Sequence, residues 1–556
     1  MDWVPLMLVC RHWRNVGIST PWLWRIISIT DNLQSLQYRL SRTVGCTIDL
    51  FISISPEHNE AAIPLLLPFA RSIRSIQVPS VHFSLPCDTL LSIKPLFGLA
   101  LSALEYVDIT ADVRSEDQLQ PPVDLGLSKK LHPKLRRFVV TSYVAMPLEH
   151  EVWGALRELD MSIRGRDDRH ERVDEFLRVL AGAPHLERLV VVRQKPEYYT
   201  KDRDIHYPTA KAAPESDWMP IVYRLDKLRR IRLDGQLPFI ARVLESIDAP
   251  ALLYLNVSAC VPSHVDAAGV APQLLPPPLR HMIKKCEGLR ASSNDSLDFF
   301  IHSDDFQKRA INTGDKNITY VYLHVTGNKW SVSPLPAAIS ALCDVFHTAP
   351  LRSLSFCSFR LPAPPDAWKL LQATFCDLRK VAITGHRSSI LPQFLEALRD
   401  QCRAGRWRPL SRLVLDFCID SSMNSMGWHK VFTLLEDSAR AKCQQGTRLE
   451  TISLRRMYIA RAQLRPHTRA IKAISTLCDE LDFSEPQFSH YPRSPPSDVV
   501  GWLQSPSDSD WDAVSDDVDT TQDSAVTDDD EESPPDVDLV KMIRLVSRPT
   551  LYQETR

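Results

Sequence analysis

The chain has 556 residues, of which 44% are hydrophobic and 24% charged, and its formal net charge is -2 at pH 7. The length exceeds the about 100 to 200 residues of a single domain, and the composition excludes a wholly disordered chain and a strongly basic nucleic-acid binder. Fourteen of the 68 acidic residues lie between Asp508 and Asp538, where there is no Lys or Arg, so the rest of the chain carries a net charge of +12.

The twelve cysteines form no Cys-x-x-Cys pair and have no zinc-ligand spacing to histidines, which disfavours a disulfide framework or a zinc module. No signal sequence opens the chain. The most apolar run, residues 61–70, contains two prolines and is shorter than the about 20 residues of a membrane span. We expect reduced thiols, no membrane partner, and a location in the cytoplasm, the nucleus or both.

The first predicted element is a helix over residues 5–18, because Leu6, Val9, Trp13 and Val16 recur at three- and four-residue steps. The following Ser-Thr-Pro ends it. Next come Trp22, Leu23 and Trp24, then the β-rich stretch IISIT, and then an alternating apolar pattern over residues 48–54 that predicts a strand.

A six-residue phrase, apolar-x-x-apolar-x-apolar, then recurs and is typical of a strand entered through a leucine. Its copies begin at Ile73, Leu104, Leu135, Leu156, Leu186, Leu228, Leu252, Ile318, Leu351, Leu378, Leu410 and Leu449. About fifteen matches are expected by chance alone in a chain of this composition, so the phrase does not by itself establish a repeat. The residues around each copy are more informative. Several copies follow an amphipathic helix closed by a proline, as ERVDEFLRVLAGAP precedes HLERLVVV.

Repetition of helix, turn and strand indicates an α/β solenoid with a parallel sheet and outer helices. A doubly wound sheet also has alternating strands and helices, but the reused alanine-proline junctions favour repetition. The long interval between Leu252 and Ile318 predicts a further, degenerate copy near LRASSNDSLDFFI. Residues 193–220 are predicted to form a long polar loop, either a binding element or a plain surface excursion.

Beyond residue 483 the pattern ends. Residues 484–538 are rich in Ser, Pro and Asp and cannot bury enough apolar area to fold, so we expect disorder there. Residues 539–556 form a tail with spacing that permits a short helix. Four positions are candidate phosphorylation sites because each has an acidic residue three positions on: Ser507, Ser509, Thr520 and Thr527.

Motifs for catalysis or cofactor binding are missing from the sequence. We find no phosphate loop, no Gly-x-Ser-x-Gly elbow, no His-Glu-x-x-His and no dinucleotide fingerprint. With only 17 glycines, loops that cradle phosphates are disfavoured. We therefore expect no cofactor and no catalytic activity, although separated Ser, His and Asp residues can meet in space without a sequence signal.

The stretch VCRHWRNVGISTPWLWRIISI, residues 9–29, resembles the second half of the F-box in the version common in fungal, basidiomycete-type F-box proteins. The matching positions are Val9, Cys10, Arg11, Trp13, Arg14, Ser19, Thr20, Pro21, Leu23 and Trp24. The Leu-Pro-x-Glu-Ile/Leu helix that opens the family's motif has no counterpart in this sequence, so the first half of the F-box is expected to be missing. Many such proteins continue into leucine-rich repeats, as this pattern does.

The resemblance implies a partial F-box-like helical module at residues 1–30 and a leucine-rich-repeat-like solenoid at residues 31–483. It implies a substrate-recognition subunit whose partners are a Skp-family adaptor, a cullin ligase and an unknown protein substrate. The residues expected to bind the adaptor or form the module's core are Leu6, Val9, Cys10, Trp13, Leu23 and Trp24. The alternative is a repeat scaffold that binds a protein partner without any ligase.

Substrate binding is expected on the outward-pointing residues of the parallel strands, which alternate with buried apolar ones. The candidates are Arg188, Arg230, Arg232, Tyr254, Asn256, Tyr322 and Arg412. The arginines among them are suited to an acidic or phosphorylated segment, because guanidinium groups form paired, charge-assisted hydrogen bonds with such groups. A solvated polar face is the simpler interpretation of most of these residues.

Overall fold

The computed structural model describes residues 9–53, 55–78, 87–109, 122–140, 144–147, 149–164, 170–194, 221–261, 267–293, 296–303, 319–327, 335–357, 363–385, 390–417, 425–455 and 467–482. These residues form an α/β structure around one large, mostly parallel sheet. No helix among them is both long and apolar enough to cross a membrane. Of the loop predicted over residues 193–220, the first two residues belong to a strand that ends at Gln194. Residues 195–220 and all of the predicted acidic segment and tail lie outside the described residues.

Nineteen strands are described. They are β1 Ile26–Ser28, β2 Ile48–Phe51, β3 Ile73–Val78, β4 Tyr106–Ile109, β5 Arg137–Val140, β6 Glu158–Arg164, β7 Arg188–Gln194, β8 Tyr223–Arg224, β9 Arg230–Gln236, β10 Ile247–Asp248, β11 Tyr254–Val261, β12 Gly288–Ser293, β13 Ser296–His302, β14 Tyr320–Gly327, β15 Ser353–Cys357, β16 Lys380–Gly385, β17 Arg412–Phe417, β18 Leu449–Arg455 and β19 Cys478–Asp482. Each of the twelve repeated phrases overlaps one of these strands, which confirms that part of the prediction.

The described α-helices are α1 Arg11–Ser19, α2 Leu33–Arg42, α3 Pro56–Leu66, α4 Cys87–Phe97, α5 His170–Ala181, α6 Leu237–Glu245, α7 Ala267–Leu274, α8 Leu335–Phe346, α9 Pro365–Thr374, α10 Ile390–Arg403, α11 Ser425–Gln444 and α12 Thr468–Leu477. Short 3-10 helices lie at Pro21–Trp24, Leu67–Ser72, His150–Ala155, Pro277–Leu279 and Met282–Lys285. The amphipathic segments predicted to precede strands are the helices α5, α6, α8, α10 and α11.

Strand pairing follows the chain over most of the sheet. From β1 to β7 each strand pairs in parallel with the next, then β7 pairs with β9 and β9 with β11. From β15 to β19 the same parallel progression resumes. Strands β8 and β10 pair with each other in a separate two-stranded sheet.

The order is inverted in the middle of the sheet. Strand β11 pairs with β14, β14 with β13, β13 with β12, and β12 with β15. Strand β13 is antiparallel to both of its neighbours, so the other strands keep one direction. The degenerate copy predicted near residues 289–301 is therefore two strands, β12 and β13, rather than one.

Only one face of the sheet carries the apolar core. Along β9, the side chains of Ile231 and Leu233 are completely buried, whereas those of Arg230 and Arg232 are partly exposed. The apolar residues pack with those of the helices in one continuous cluster. A doubly wound sheet would bury both faces of its central strands, so this alternation argues against that alternative.

Two consecutive helices end in the same way. Gly405 follows α10 and Gly446 follows α11, and both have positive φ angles, of 73° and 72°. The N–H of Gly405 donates to the Cys402 carbonyl oxygen and that of Gly446 to the Cys443 carbonyl oxygen, as in a Schellman cap. Glycine fits here because a Cβ atom is strained in the left-handed region.

Candidate functional site

The side of the sheet opposite the apolar core is polar, and we call it the polar face. On β4, for example, Tyr106 and Asp108 are partly exposed, whereas Val107 and Ile109 are buried. Paired residues of neighbouring strands point to the same side of a sheet. The pairings therefore arrange the polar side chains of successive strands in rows across this face.

Ion pairs connect the polar side chains of β4 to β7. The guanidinium carbon of Arg137 lies 4.7 Å from the centre of the Tyr106 ring, and its Nε lies 3.4 Å from a carboxylate oxygen of Glu158. Arg188 extends this network, with nitrogen atoms 3.6 Å from oxygens of both Glu158 and Asp160. Burial raises the pKa of Asp160 and lowers the pKa of Arg188, and their mutual attraction opposes both shifts. The charged side chains thus fix one another in place.

The ion pairs between acidic and basic side chains of neighbouring strands are not continued by the in-register neighbours of the β9 arginines. Arg230 pairs in register with Arg188 on one side and with Tyr254 on the other. Arg232 pairs with Asn256, whose amide nitrogen donates to the Tyr254 hydroxyl oxygen at 3.2 Å. No residue paired in register with these two arginines is acidic, but Asp234 lies two positions after Arg232 on the same face of β9.

Aromatic rings follow on the next strands. Tyr254 stacks on Tyr320 with ring centres 4.8 Å apart and planes 9° apart, and Phe300 meets Tyr320 edge-on at 4.9 Å. Tyr320 is only 1% exposed as a result. Burial raises the pKa of both Tyr254 and Tyr320 above the ordinary tyrosine value. Both phenols therefore keep their protons at neutral pH.

An acidic group with several hydrogen-bond donors lies beyond the aromatic rings. Asp298, on the antiparallel strand β13, accepts hydrogen bonds from the hydroxyls of Tyr322 and Ser292, each at 3.2 Å. The Nδ1 atom of His324 also contacts the Asp298 carboxylate. Burial, and next the charge of Asp298, raise the pKa of Tyr322. The inverted strands β12, β13 and β14 bring these four residues together, since Asp298 pairs with Ser292 and with His324.

These groups can bind an extended ligand. Guanidinium groups, neutral phenols and an oriented imidazole offer hydrogen bonds and stacking to an extended ligand. Among the described residues, no three or more His, Cys, Asp or Glu side chains are grouped as metal ligands would be.

A second candidate surface lies on what we call the N-terminal module, residues 9–28. Within α1 only Gly17 is buried. Val9 is 69% exposed, Trp13 52% and Trp22 63%, and Leu23 and Cys10 are exposed as well. Large apolar groups concentrated on so short a segment are typical of an interaction site.

The two predicted core tryptophans differ in environment. Trp24 is buried, its Nε1–H donates to the carbonyl oxygen of Gly17 at 2.8 Å, and its ring meets Tyr38 edge-on. Trp13 is half exposed, and within the part of the chain that the structure describes its ring contact is with the neighbouring His12. Trp24 therefore forms the module's core, whereas Trp13 is available to a partner. Leu6 lies outside the described residues.

The remaining predicted residues are distributed as follows. Arg188 is largely buried in its ion pairs, and Asn256 is covered by its neighbours. Arg412 is exposed, with its Nε 3.5 Å from Glu450, and lies many strands away from Arg188. The four candidate phosphorylation sites, Ser507, Ser509, Thr520 and Thr527, lie outside the described residues.

Sequence reasoning missed Phe300, Asp298 and His324. The alternation of β14, YVYLHVTG, places His324 on the same face as Tyr320 and Tyr322. The same rule applied to SLDFFIH places Asp298 and Phe300 there. Extending the alternation by one step in each strand would have found them.

No protein-family model matches the chain, and no curated protein matches it.

Proposed function

We propose that the protein is the substrate-recognition subunit of a ubiquitin ligase of the Skp-cullin-F-box class, acting in the cytoplasm or the nucleus. The N-terminal module would bind the Skp adaptor, and the polar face would bind the substrate protein. The chain would perform no bond chemistry itself. It would hold a substrate near a charged ubiquitin-conjugating enzyme, so that transfer becomes effectively intramolecular.

The observation that carries this proposal is the exposure of apolar residues within the F-box-like stretch. Val9, Trp13 and Leu23 match the family's pattern and are exposed, whereas Trp24, which also matches, is buried. An F-box-like pattern that is split between a small core and an uncovered apolar surface fits a docking module. Tryptophan is among the residues that contribute most to binding energy at protein interfaces.

The finer architecture that we propose is a leucine-rich-repeat-like solenoid. It is supported by the progression of strands β1 to β7 and β15 to β19, each beside its predecessor. It is also supported by the burial of a single sheet face and by the shared helix caps at Gly405 and Gly446. In such arrays each repeat contacts only its neighbours, which leaves an extended face for a ligand.

Binding of a purified fungal Skp adaptor to the full chain tests the proposal. Trp13→Ala should weaken binding by about tenfold or more, because truncation of a central interface tryptophan costs about 2 kcal/mol or more. Leu370→Ala is the matched control, since Leu370 is 45% exposed on α9, far along the chain from the module. The control should bind as the unaltered chain does.

Two results would contradict the proposal. If the unaltered chain does not bind the adaptor, the ligase assignment is wrong, and the scaffold function without a ligase becomes the better explanation. If the chain binds but Trp13→Ala binds equally well, the exposed surface of α1 is not the docking site.

A further inference from the structure

A buried carboxylate joins the N-terminal module to the sheet. Asp49, on β2, is 6% exposed. Its oxygens accept hydrogen bonds from Arg25 Nε at 2.6 Å, from Arg74 Nε at 3.0 Å and Arg74 Nη2 at 2.9 Å, and from the Ser75 hydroxyl at 2.9 Å. Arg25 belongs to the module, whereas Arg74 and Ser75 belong to β3. One carboxylate thus bonds to both parts of the chain.

Arg25 also reaches the exposed surface of the module. Its guanidinium carbon lies 5.6 Å from the centre of the Trp22 ring. Its carbonyl oxygen accepts a hydrogen bond from the N–H of Asp49 at 2.9 Å. Trp22, Arg25 and Asp49 therefore form a continuous series of contacts from the apolar surface to the interior of the sheet.

The module also contacts the rest of the chain through Ile27, which is completely buried in the core, and through Trp24, whose ring meets Tyr38. Strand β1 pairs with β2 over three residues only, from Ile26 with Asp49 to Ser28 with Phe51. Helix α1 contributes one buried residue, Gly17. Short edge strands fray easily, and the Asp49 contacts lie at the point where β1 begins.

We infer that Asp49 is a positioning residue, which holds the N-terminal module in one orientation relative to the polar face through Arg25. This inference rests on the proposed function only in that the surface so held is the one assigned to the adaptor. A fixed orientation matters for a receptor that works by proximity, because transfer depends on the relative placement of substrate and enzyme.

The variant that tests the contact between the module and Asp49 is Arg25→Gln. It removes the module's half of the contact and leaves the bonds from Arg74 and Ser75 to Asp49 intact, so the sheet can still fold. Asp49→Asn is the more severe change, because its amide N–H groups would face guanidinium N–H groups across a buried contact. Arg25→Lys keeps the positive charge and should restore part of the lost protection.

Amide hydrogen exchange on the full chain tests the inference. Arg25→Gln should raise exchange in residues 22–29 by about tenfold or more, since a charge-assisted hydrogen bond is lost, and leave β15 to β18 unchanged. Arg352→Gln is the matched control, because Arg352 forms a half-exposed pair with Glu287, with a nitrogen 3.5 Å from a carboxylate oxygen, away from the module. Its exchange in residues 22–29 should equal that of the unaltered chain.

Three results would overturn the inference: no increase in residues 22–29, an equal increase throughout the sheet, or no recovery with Arg25→Lys. Adaptor binding, measured in parallel, should change by less than about threefold in Arg25→Gln because Val9 and Trp13 remain. An unaltered chain that fails to bind the adaptor would contradict the proposed function while the exchange result still decides the role of Asp49.

Discussion

The indole N–H of Trp24 donates a hydrogen bond to the carbonyl oxygen of Gly17, 2.8 Å away, and so ties the 3-10 helix back onto α1. The buried ring also contacts Tyr38 of α2 edge-on, with ring centres 5.6 Å apart. From the 3-10 helix, Trp24 therefore contacts both α1 and α2.

Replacing Trp24 with Phe should destabilise the module by about 1 kcal/mol, since the ring is kept but the hydrogen bond is lost. Trp24→Ala should cost about 3 to 5 kcal/mol, as for other buried aromatic residues. Limited proteolysis and urea-dependent fluorescence measure the effect. Trp13→Phe is the control, and this exposed site should change the stability by less than about 0.5 kcal/mol. Equal losses at both positions would contradict the assignment of Trp24 as the core residue.

Lys442 is a buried cation that has no carboxylate partner among the described residues. It is 1% exposed, and its ammonium group donates to the carbonyl oxygens of Trp407 at 2.8 Å and Arg408 at 3.1 Å. These carbonyls lie in the turn after α10, so Lys442 joins two consecutive helix ends. Lys442→Met should reduce the free energy of unfolding by about 2 to 3 kcal/mol, because two buried carbonyls lose a charged donor.

Urea denaturation of the Lys442→Met and Lys430→Met variants separates this effect from a general loss of charge. Lys430 is exposed and pairs with Glu396, with the nitrogen and oxygen 2.7 Å apart, and its loss should cost less than about 1 kcal/mol.

Burial lowers the pKa of Lys442. The unfolded chain therefore binds more protons between that pKa and 10.5, and the Lys442 contribution to stability should increase with pH across this interval.

Because the tyrosines of the polar face are buried, they should make the stability of the fold decrease with pH in the alkaline range, opposite to the Lys442 contribution. Burial raises the pKa of Tyr320, and burial followed by the charge of Asp298 raises the pKa of Tyr322, above the ordinary 10.0. Above that pH the unfolded chain loses protons that the folded chain keeps. Stability present below pH 10 should therefore fall as the pH rises towards the folded-state pKa values.

Tyrosinate absorbance and urea denaturation, followed together from pH 9 to 11.5, measure this loss. The double variant Tyr320→Phe with Tyr322→Phe should show a shallower decline in stability than the unaltered chain. A decline that is equally steep in the double variant would mean that other groups cause it.

Much of the repeated architecture could be predicted from the sequence, because its signals are local. The leucine-led phrase LRRIRL alternates apolar and polar residues over β9, and the glycines after α10 and α11 mark helix ends within a few positions. Such patterns report on segments of six to twenty residues. They were sufficient for the twelve repeated strands, for the helices α5, α6, α8, α10 and α11 and for the buried face.

What could not be predicted depends on contacts between distant residues. Asp298 and His324 meet only because β12, β13 and β14 enter the sheet in reverse order, and no local pattern encodes that inversion. Likewise Trp13 and Trp24 have similar sequence surroundings. Trp24 is buried because it contacts Tyr38 and the carbonyl of Gly17, and these tertiary contacts leave no signal in the local sequence.

Cysteine reactivity gives a test that covers much of the fold at once. Cys10 and Cys376 are exposed, whereas Cys286, Cys343 and Cys402 are buried. Burial raises the pKa of the Cys286 thiol to about 12 and those of the Cys343 and Cys402 thiols to about 11. Because the thiolate is the reactive form, the buried thiols should react on the order of a hundredfold more slowly at pH 8 than an unperturbed exposed thiol.

Peptide mapping after brief alkylation of the native chain measures each rate separately. Cys10 and Cys376 should be modified first, and Cys376→Ser should remove one fast site without changing the rate at Cys10. In urea all five thiols should react at similar rates, which shows that the fold causes the protection. Rapid native modification of Cys402 would mean that α10 and α11 do not pack as described, since the Gln445 side chain bonds to the Cys402 carbonyl across that contact.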